Sequence, residues 1–310
     1  MKNAVGMILA GMAALMVVWA CSPRERGEQV RSVYYWSTVF QLDSAQQDFI
    51  REQQVGRIYL RYFDVVVNGE DKVMPNATVR FLSGQPKGVE IVPTIYIMNE
   101  CMTRDVSQLD SLLLGRVMQM SETNDIAGVK EIQIDCDWTM RTRKVYYDFL
   151  KRLVDRAREK DVRISTTIRL HQLTQPVPPV ERGVLMMYNT GDVRKWEGTN
   201  PILDMKDAGP YMRHLKKYDL PLSTAYPVFA WQVLFRGDKY IGIMHSDDDL
   251  PVLPGDTVVE RRVELPVLLE AKGAVGRERS DANDEVILFD LSSKTIKRIN
   301  EYHYEKVFSN

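Results

Sequence analysis

The sequence holds only 3 cysteines in 310 residues, too few for a disulfide framework. Its four histidines, His171, His214, His245 and His303, are scattered, and none has the spacing of a metal-ligand pair. Neither sign of charge prevails: 41 lysines and arginines oppose 42 aspartates and glutamates, for a formal net charge of −1. That balance argues against a basic nucleic-acid-binding surface, and no nucleic-acid partner is expected. Walker A, G-x-G-x-x-G and G-x-S-x-G strings are missing, and with them the usual phosphate cradles and the nucleophile elbow. Two acidic runs, 245–249 and 281–285, lack the EF-hand pattern and read as solvated loops. No metal and no cofactor are therefore expected. The remainder is ordinary: 45% hydrophobic and 27% charged residues rule out wholesale disorder. The length suits one large domain, such as an α/β barrel, or two average ones.

A long hydrophobic run stands at the start. After Met1-Lys2-Asn3, apolar residues extend from Ala4 to Ala20, the pattern of a secretory signal peptide over 1–20. Val18-Trp19-Ala20-Cys21 resembles a bacterial lipobox, which implies that Cys21 becomes a lipidated N-terminus held in a membrane by its acyl chains. The alternative is an uncleaved anchor, because 17 apolar residues just suffice to span a bilayer. Either way the body is expected outside the cytoplasm, on a bacterial envelope and most naturally the outer membrane. Residues 22–32 are polar and form a tether of at most about 35–40 Å.

Beyond the tether, β-rich runs alternate with amphipathic stretches. Strands are predicted at Val33–Phe40, Arg57–Val67, Glu90–Met98, Glu131–Trp138, Arg163–Leu170, Gly183–Asn189, Pro221–Phe229 and Glu285–Leu291. Helices are predicted at 43–54, 105–121, 143–160, 204–217 and 292–307, with Asp43 and Asp105 as N-caps. Eight strands in such alternation fit a (β/α)8 TIM-type barrel over 33–310, expected to be a monomer. Two departures from regularity are expected. The second and third strands are joined by a loop without a helix, and residues 236–284 form an irregular insertion with a hairpin near Val258–Leu269.

The fourth strand carries the strongest chemical pattern. Ile132, Ile134, Cys136 and Trp138 alternate with Gln133, Asp135, Asp137 and Thr139. In a barrel the apolar face meets the helices, so the polar face points inward. Two carboxylates there, about 6–7 Å apart by strand rise, are costly to desolvate, and their mutual repulsion raises one pKa. The competing reading is a structural pair neutralised by arginine. Arg61 and Arg169 fall inside strands, where each either neutralises such a carboxylate or grips an anionic group.

These residues resemble the chitinase-like family 18 glycoside hydrolases, (β/α)8 barrels with D-x-x-D-x-D-W-E on the fourth strand and M-x-Y-D or M-x-Y-N on the sixth. Asp135-Cys136-Asp137-Trp138 and Met186-Met187-Tyr188-Asn189 match the two motifs in order. The resemblance implies a glycan or oligosaccharide partner, with Asp137 orienting and Tyr188 hydrogen-bonding a sugar acetamido group. The general acid of that family is a Glu, and Thr139 stands in its place; a hydroxyl cannot take that role, and acid–base assistance contributes about 10²–10⁴-fold. Glu100, Asp64 and Asp290 are candidate replacement acids. The catalytic set is therefore read as Asp137, Asp135 and Glu100. The binding set is Tyr188, Asn189, Trp36, Gln133, Arg61, Arg169 and Trp231, with Tyr34, Tyr62, Tyr96 and Tyr226 as further rim aromatics. The chain is also similar to an uncharacterised bacterial barrel family with a Q-I-D-x-D signature and a Y-x-x-F-L helix, matched by Gln133–Asp137 and Tyr146–Leu150. Three readings stand: a hydrolase with a non-standard acid, a silent glycan binder, and a structural envelope protein. Cys136 faces the helix layer, and its pairing with Cys101 is left open.

Overall fold

The computed structural model describes residues 29–244 and 249–309. The signal, the lipobox, Cys21 and most of the tether lie outside the described residues. Eight short apolar runs form parallel strands: β1 (Val30–Tyr35), β2 (Arg57–Val67), β3 (Glu90–Ile97), β4 (Glu131–Asp135), β5 (Arg163–Arg169), β6 (Arg182–Met186), β7 (Leu222–Pro227) and β8 (Glu285–Phe289). Each pairs with the next, and β1 pairs with both β8 and β2, so the sheet closes on itself. Closure removes every edge, and all strands point toward one rim. The fold is a TIM-type α/β barrel. All eight strands that close the barrel lie within the described residues.

Six α-helices among the described residues surround it: α1 (Ser44–Glu52), α2 (Leu109–Thr123), α3 (Arg143–Arg158), α4 (Met205–Met212), α5 (Leu265–Glu278) and α6 (Ser293–Tyr302). No helix among the described residues is long and apolar enough to cross a membrane. Asp43 caps α1 through a reciprocal capping box with Gln46, as its position predicts. Asp105 does not cap α2; its carboxylate instead receives the Ser107 amide at 2.9 Å, and the helix starts four residues later. The short polar turn satisfies Asp105 before any helical turn forms.

The alternation on β4 is realised. Trp138 packs on α3, its ring 6.4 Å from Tyr146 and 5.3 Å from Tyr147, while Gln133 faces inward and accepts the Tyr34 hydroxyl at 2.7 Å. Cys101 and Cys136 are buried free thiols. Below Gln133 the interior is ionic. Arg182 joins Glu131 at 3.3 Å to Glu285, and Arg57 joins Glu285 at 3.1 Å to Glu90 at 2.8 Å. The Ser32 and Ser223 hydroxyls donate to Glu285 at 2.6 and 2.7 Å.

Two regions depart from the sequence expectation. Residues 39–40 leave the first strand and pair with 80–81 in the helix-free β2–β3 connection, where 73–76 also runs antiparallel to β2. The insertion is a three-stranded antiparallel sheet, Ala230–Arg236, Lys239–Met244 and Asp256–Arg262, followed by α5. The expected hairpin at 258–269 straddles the last strand and the helix. Pro266 marks the change, because its fixed φ and missing N–H suit a first helical turn. The sheet is clamped to α6: Arg262 lies 4.1 Å from the centre of the Tyr302 ring, and Arg298 pairs with Glu260 at 3.6 Å.

Candidate functional site

A cleft of about 860 Å³ opens at the rim where the strands end. Its floor is a register row across neighbouring strands: Asp64 of β2 lies beside Tyr96 of β3, and Tyr96 beside Asp135 of β4. Arg61 and Asp64 share this side only because the β2–β3 register slips between Arg61 and Phe63. The extra residue turns Tyr62 toward the helices, where its hydroxyl meets Ser121 Oγ at 3.0 Å. Arg61 then forks onto Asp64, with Nε donating at 2.8 Å, and covers the Trp36 ring at 5.5 Å.

Arg169 is the centre of the site. Its Nη2 donates to Asp135 at 3.0 Å and its Nε to Asp137 at 2.5 Å, so one guanidinium serves both aspartates of the β4 motif. Asp135 is buried and also accepts the Thr167 hydroxyl at 2.6 Å; the Asp137 side chain is 51% exposed. Burial pushes the Asp135 carboxyl above its usual range, Arg169 opposes that, and the Asp137 charge reinforces it. Tyr96 is pushed up to about 12, first by burial and then by the charges of Asp137 and Asp135. His171, in the turn after β5, is lowered by burial against the pull of Asp137.

Aromatic rings cross the cleft in an unbroken series. Trp231 lies 5.5 Å from Phe229, Phe229 5.8 Å from Tyr188, Tyr188 5.3 Å from Phe289, and Phe289 5.6 Å from Trp36. Asn189 lines the same cleft with a left-handed backbone, φ 58°, which asparagine tolerates better than most residues. Its last wall comes from β8 and α6, with Asp290, Lys294, Thr295 and Arg298. Burial raises the Asp290 carboxyl, and the Thr295 hydroxyl donates to it at 2.8 Å.

Of the residues singled out by sequence, the cleft gathers Asp135, Trp36, Arg61, Arg169, Tyr188, Asn189 and Trp231, together with Asp64, Tyr96 and Asp290. Asp137 joins through Arg169. Six do not take the place expected. Glu100 follows β3 in a short helical turn that points it to solvent, 3.6 Å from Arg104 and outside the cleft. Gln133 is completely buried beneath the floor. Thr139 is exposed in the turn before α3, its amide donating to Thr142 Oγ1 at 3.0 Å. Tyr34, Tyr62 and Tyr226 are core residues rather than rim rings. Sequence reasoning missed Phe229, Phe289 and the α6 wall, although Phe289 ends β8 and Phe229 lies two residues past the end of β7, positions that themselves mark the rim. No group of three or more His, Cys, Asp or Glu among the described residues is arranged to hold a metal ion.

The closed parallel barrel defines the class by its fold: a (β/α)8 barrel similar to those of solved chitinases. Solved structures similar to the chain include the spore cortex-lytic enzyme SleL of Bacillus cereus, with TM-score 0.56, 12% identity, and 88% of this chain and 74% of that one covered. A chitinase from Bacteroides thetaiotaomicron gives TM-score 0.56 at 12% identity, covering 91% and 98%. A mutant family 18 chitinase from Cycas revoluta, in complex with (GlcNAc)4, gives TM-score 0.56 at 9% identity, covering 90% and 98%. At such identities the likeness is one of fold. No protein-family model and no curated protein matches the chain.

Proposed function

We propose that the protein is an envelope lipoprotein, anchored through Cys21, whose barrel binds a glycan in the rim cleft without cleaving it. The observation that carries this reading is Arg169: it occupies both aspartates of the β4 motif, while Thr139 stands where the resembling family has its acid. A carboxylate held by a guanidinium has lost much of the freedom that acid–base work requires. The aromatic series from Trp231 to Trp36, flanked by Asn189 and charged side chains, supports sugar binding, since rings meet the apolar faces of pyranoses while polar groups meet their hydroxyls. The similarly folded chitinase from Cycas revoluta is in complex with (GlcNAc)4.

A panel of chitin-type oligosaccharides and N-glycans, followed for both binding and reducing-end release, tests the reading. Binding without release, weakened at least about tenfold by Asp137→Asn, is the expected result. A second reading rests on Asp290, a cleft carboxyl that burial holds above its usual range, as a general acid ought to be. Release abolished by Asp290→Asn would establish that reading and overturn the first.

A further inference from the structure

The two sides of the cleft differ in kind. One carries charged and aromatic groups, among them Asp135, Arg169, Trp36 and, from the first strand of the inserted sheet, Trp231; the other presents Ile243, Met244 and Val258 from the sheet's second and third strands and Val252 from the loop between them. The latter are aliphatic, and two are well exposed: Val252 is 51% and Val258 41% accessible, with Leu253 beside them at 47%. Single exposed apolar residues are unremarkable, but three within seven positions beside a polar cleft form a patch. Core packing does not account for them, since the sheet has its own buried residues in Val233, Leu234 and Phe235. Nor is the wall loosely placed: the Arg298–Glu260 pair and the Arg262–Tyr302 stack fix it against α6.

Pyranose rings stack on aromatic faces, which this cleft supplies in the series from Trp231 to Trp36. An aliphatic wall offers neither a flat ring nor hydrogen bonds; it offers area to a flexible apolar chain. We propose that the ligand is an amphipathic glycan, with its sugar on the aromatic and charged side and an alkyl or acyl substituent laid along Met244, Val252 and Val258. This deepens the glycan-binding reading and rests on it. The polar and apolar surfaces are continuous within one cavity, so a single molecule carrying both groups fills it without leaving either surface mismatched.

Matched methyl and hexyl β-glycosides of glucose and of N-acetylglucosamine test the proposal by calorimetry on the body, residues 22–310, with hexanol as the sugar-free control. Full burial of one methylene corresponds to about fourfold in affinity, the equivalent of about 0.8 kcal/mol. The hexyl form of at least one sugar is expected to bind at least about tenfold more tightly than its methyl form. Val258→Asp, at an exposed strand position that tolerates charge, is expected to bring the hexyl affinity down to that of the methyl form. Equal affinity of methyl and hexyl glycosides would overturn the proposal and leave the sugar reading standing. Hexanol binding as tightly as the hexyl glycosides would also overturn it, by showing a generic apolar surface. Failure of every glycoside to bind would remove both readings.

Discussion

Arg169 sets the electrostatics of the floor, because its guanidinium pairs with the buried Asp135 at 3.0 Å. Arg169→Ala leaves a buried carboxylate with only the Thr167 hydroxyl, at an expected cost of about 3 kcal/mol at pH 7. The pH dependence has a definite sign. Asp135 titrates above its unfolded value, so the folded state takes up the proton first, and stability gained by protonation grows as pH falls. The deficit of the variant should therefore shrink between pH 7 and pH 5. Urea unfolding at the two pH values checks this, and an equal or larger deficit at pH 5 would contradict it. Asp137→Asn, at a half-exposed position, should change stability by less than about 1 kcal/mol. Much of this chemistry was legible at residue scale. Alternation alone turned Asp135 inward, and the presence of Arg169 within a strand called for a carboxylate partner. Arg61 was harder: its pairing with Asp64 depends on a bulge, and a one-residue slip in register leaves no trace in hydropathy.

At the scale of elements, Glu285 ties β8 to four other strands through Ser32 of β1, Arg57 of β2, Arg182 of β6 and Ser223 of β7. Burial by itself would raise its pKa; Arg182 and Arg57 outweigh that and hold it at about 2, against 4.5 for an ordinary glutamate. A depressed folded pKa contributes stability that is present above about pH 4.5 and is lost as pH falls toward 2. Acid unfolding of the native protein should show that loss. Glu285→Gln should be less stable at pH 7 by about 3 kcal/mol and should show a flatter profile between pH 4.5 and 2, as circular dichroism would record. The strands themselves were readable because each is a short apolar run bounded by turn residues. The inserted sheet was not: its strands mix exposed Val258 with Arg261 and Arg262, and their partners are too far along the chain for local alternation to reveal.

On the scale of the whole molecule, the expected lipid anchor gives a direct prediction. Cys21→Ala should move the protein from the membrane fraction to the soluble one, because acyl chains supply about 0.8 kcal/mol per buried methylene and the described body offers no spanning helix. Fractionation followed by immunoblotting measures it, and a variant that stays with the membrane would point to the uncleaved hydrophobic span instead. Strand polarity then decides which way the molecule looks. Residue 29 enters at the base of the barrel, where Val30 donates to the carbonyl of Asp284 just before β8, and the cleft lies at the other end of the strands, roughly 17–26 Å away for most of them. Under the proposed anchoring through Cys21 the chain enters on the side opposite the cleft, so the proposed glycan site is expected to open away from the membrane, toward glycans supplied from the surroundings.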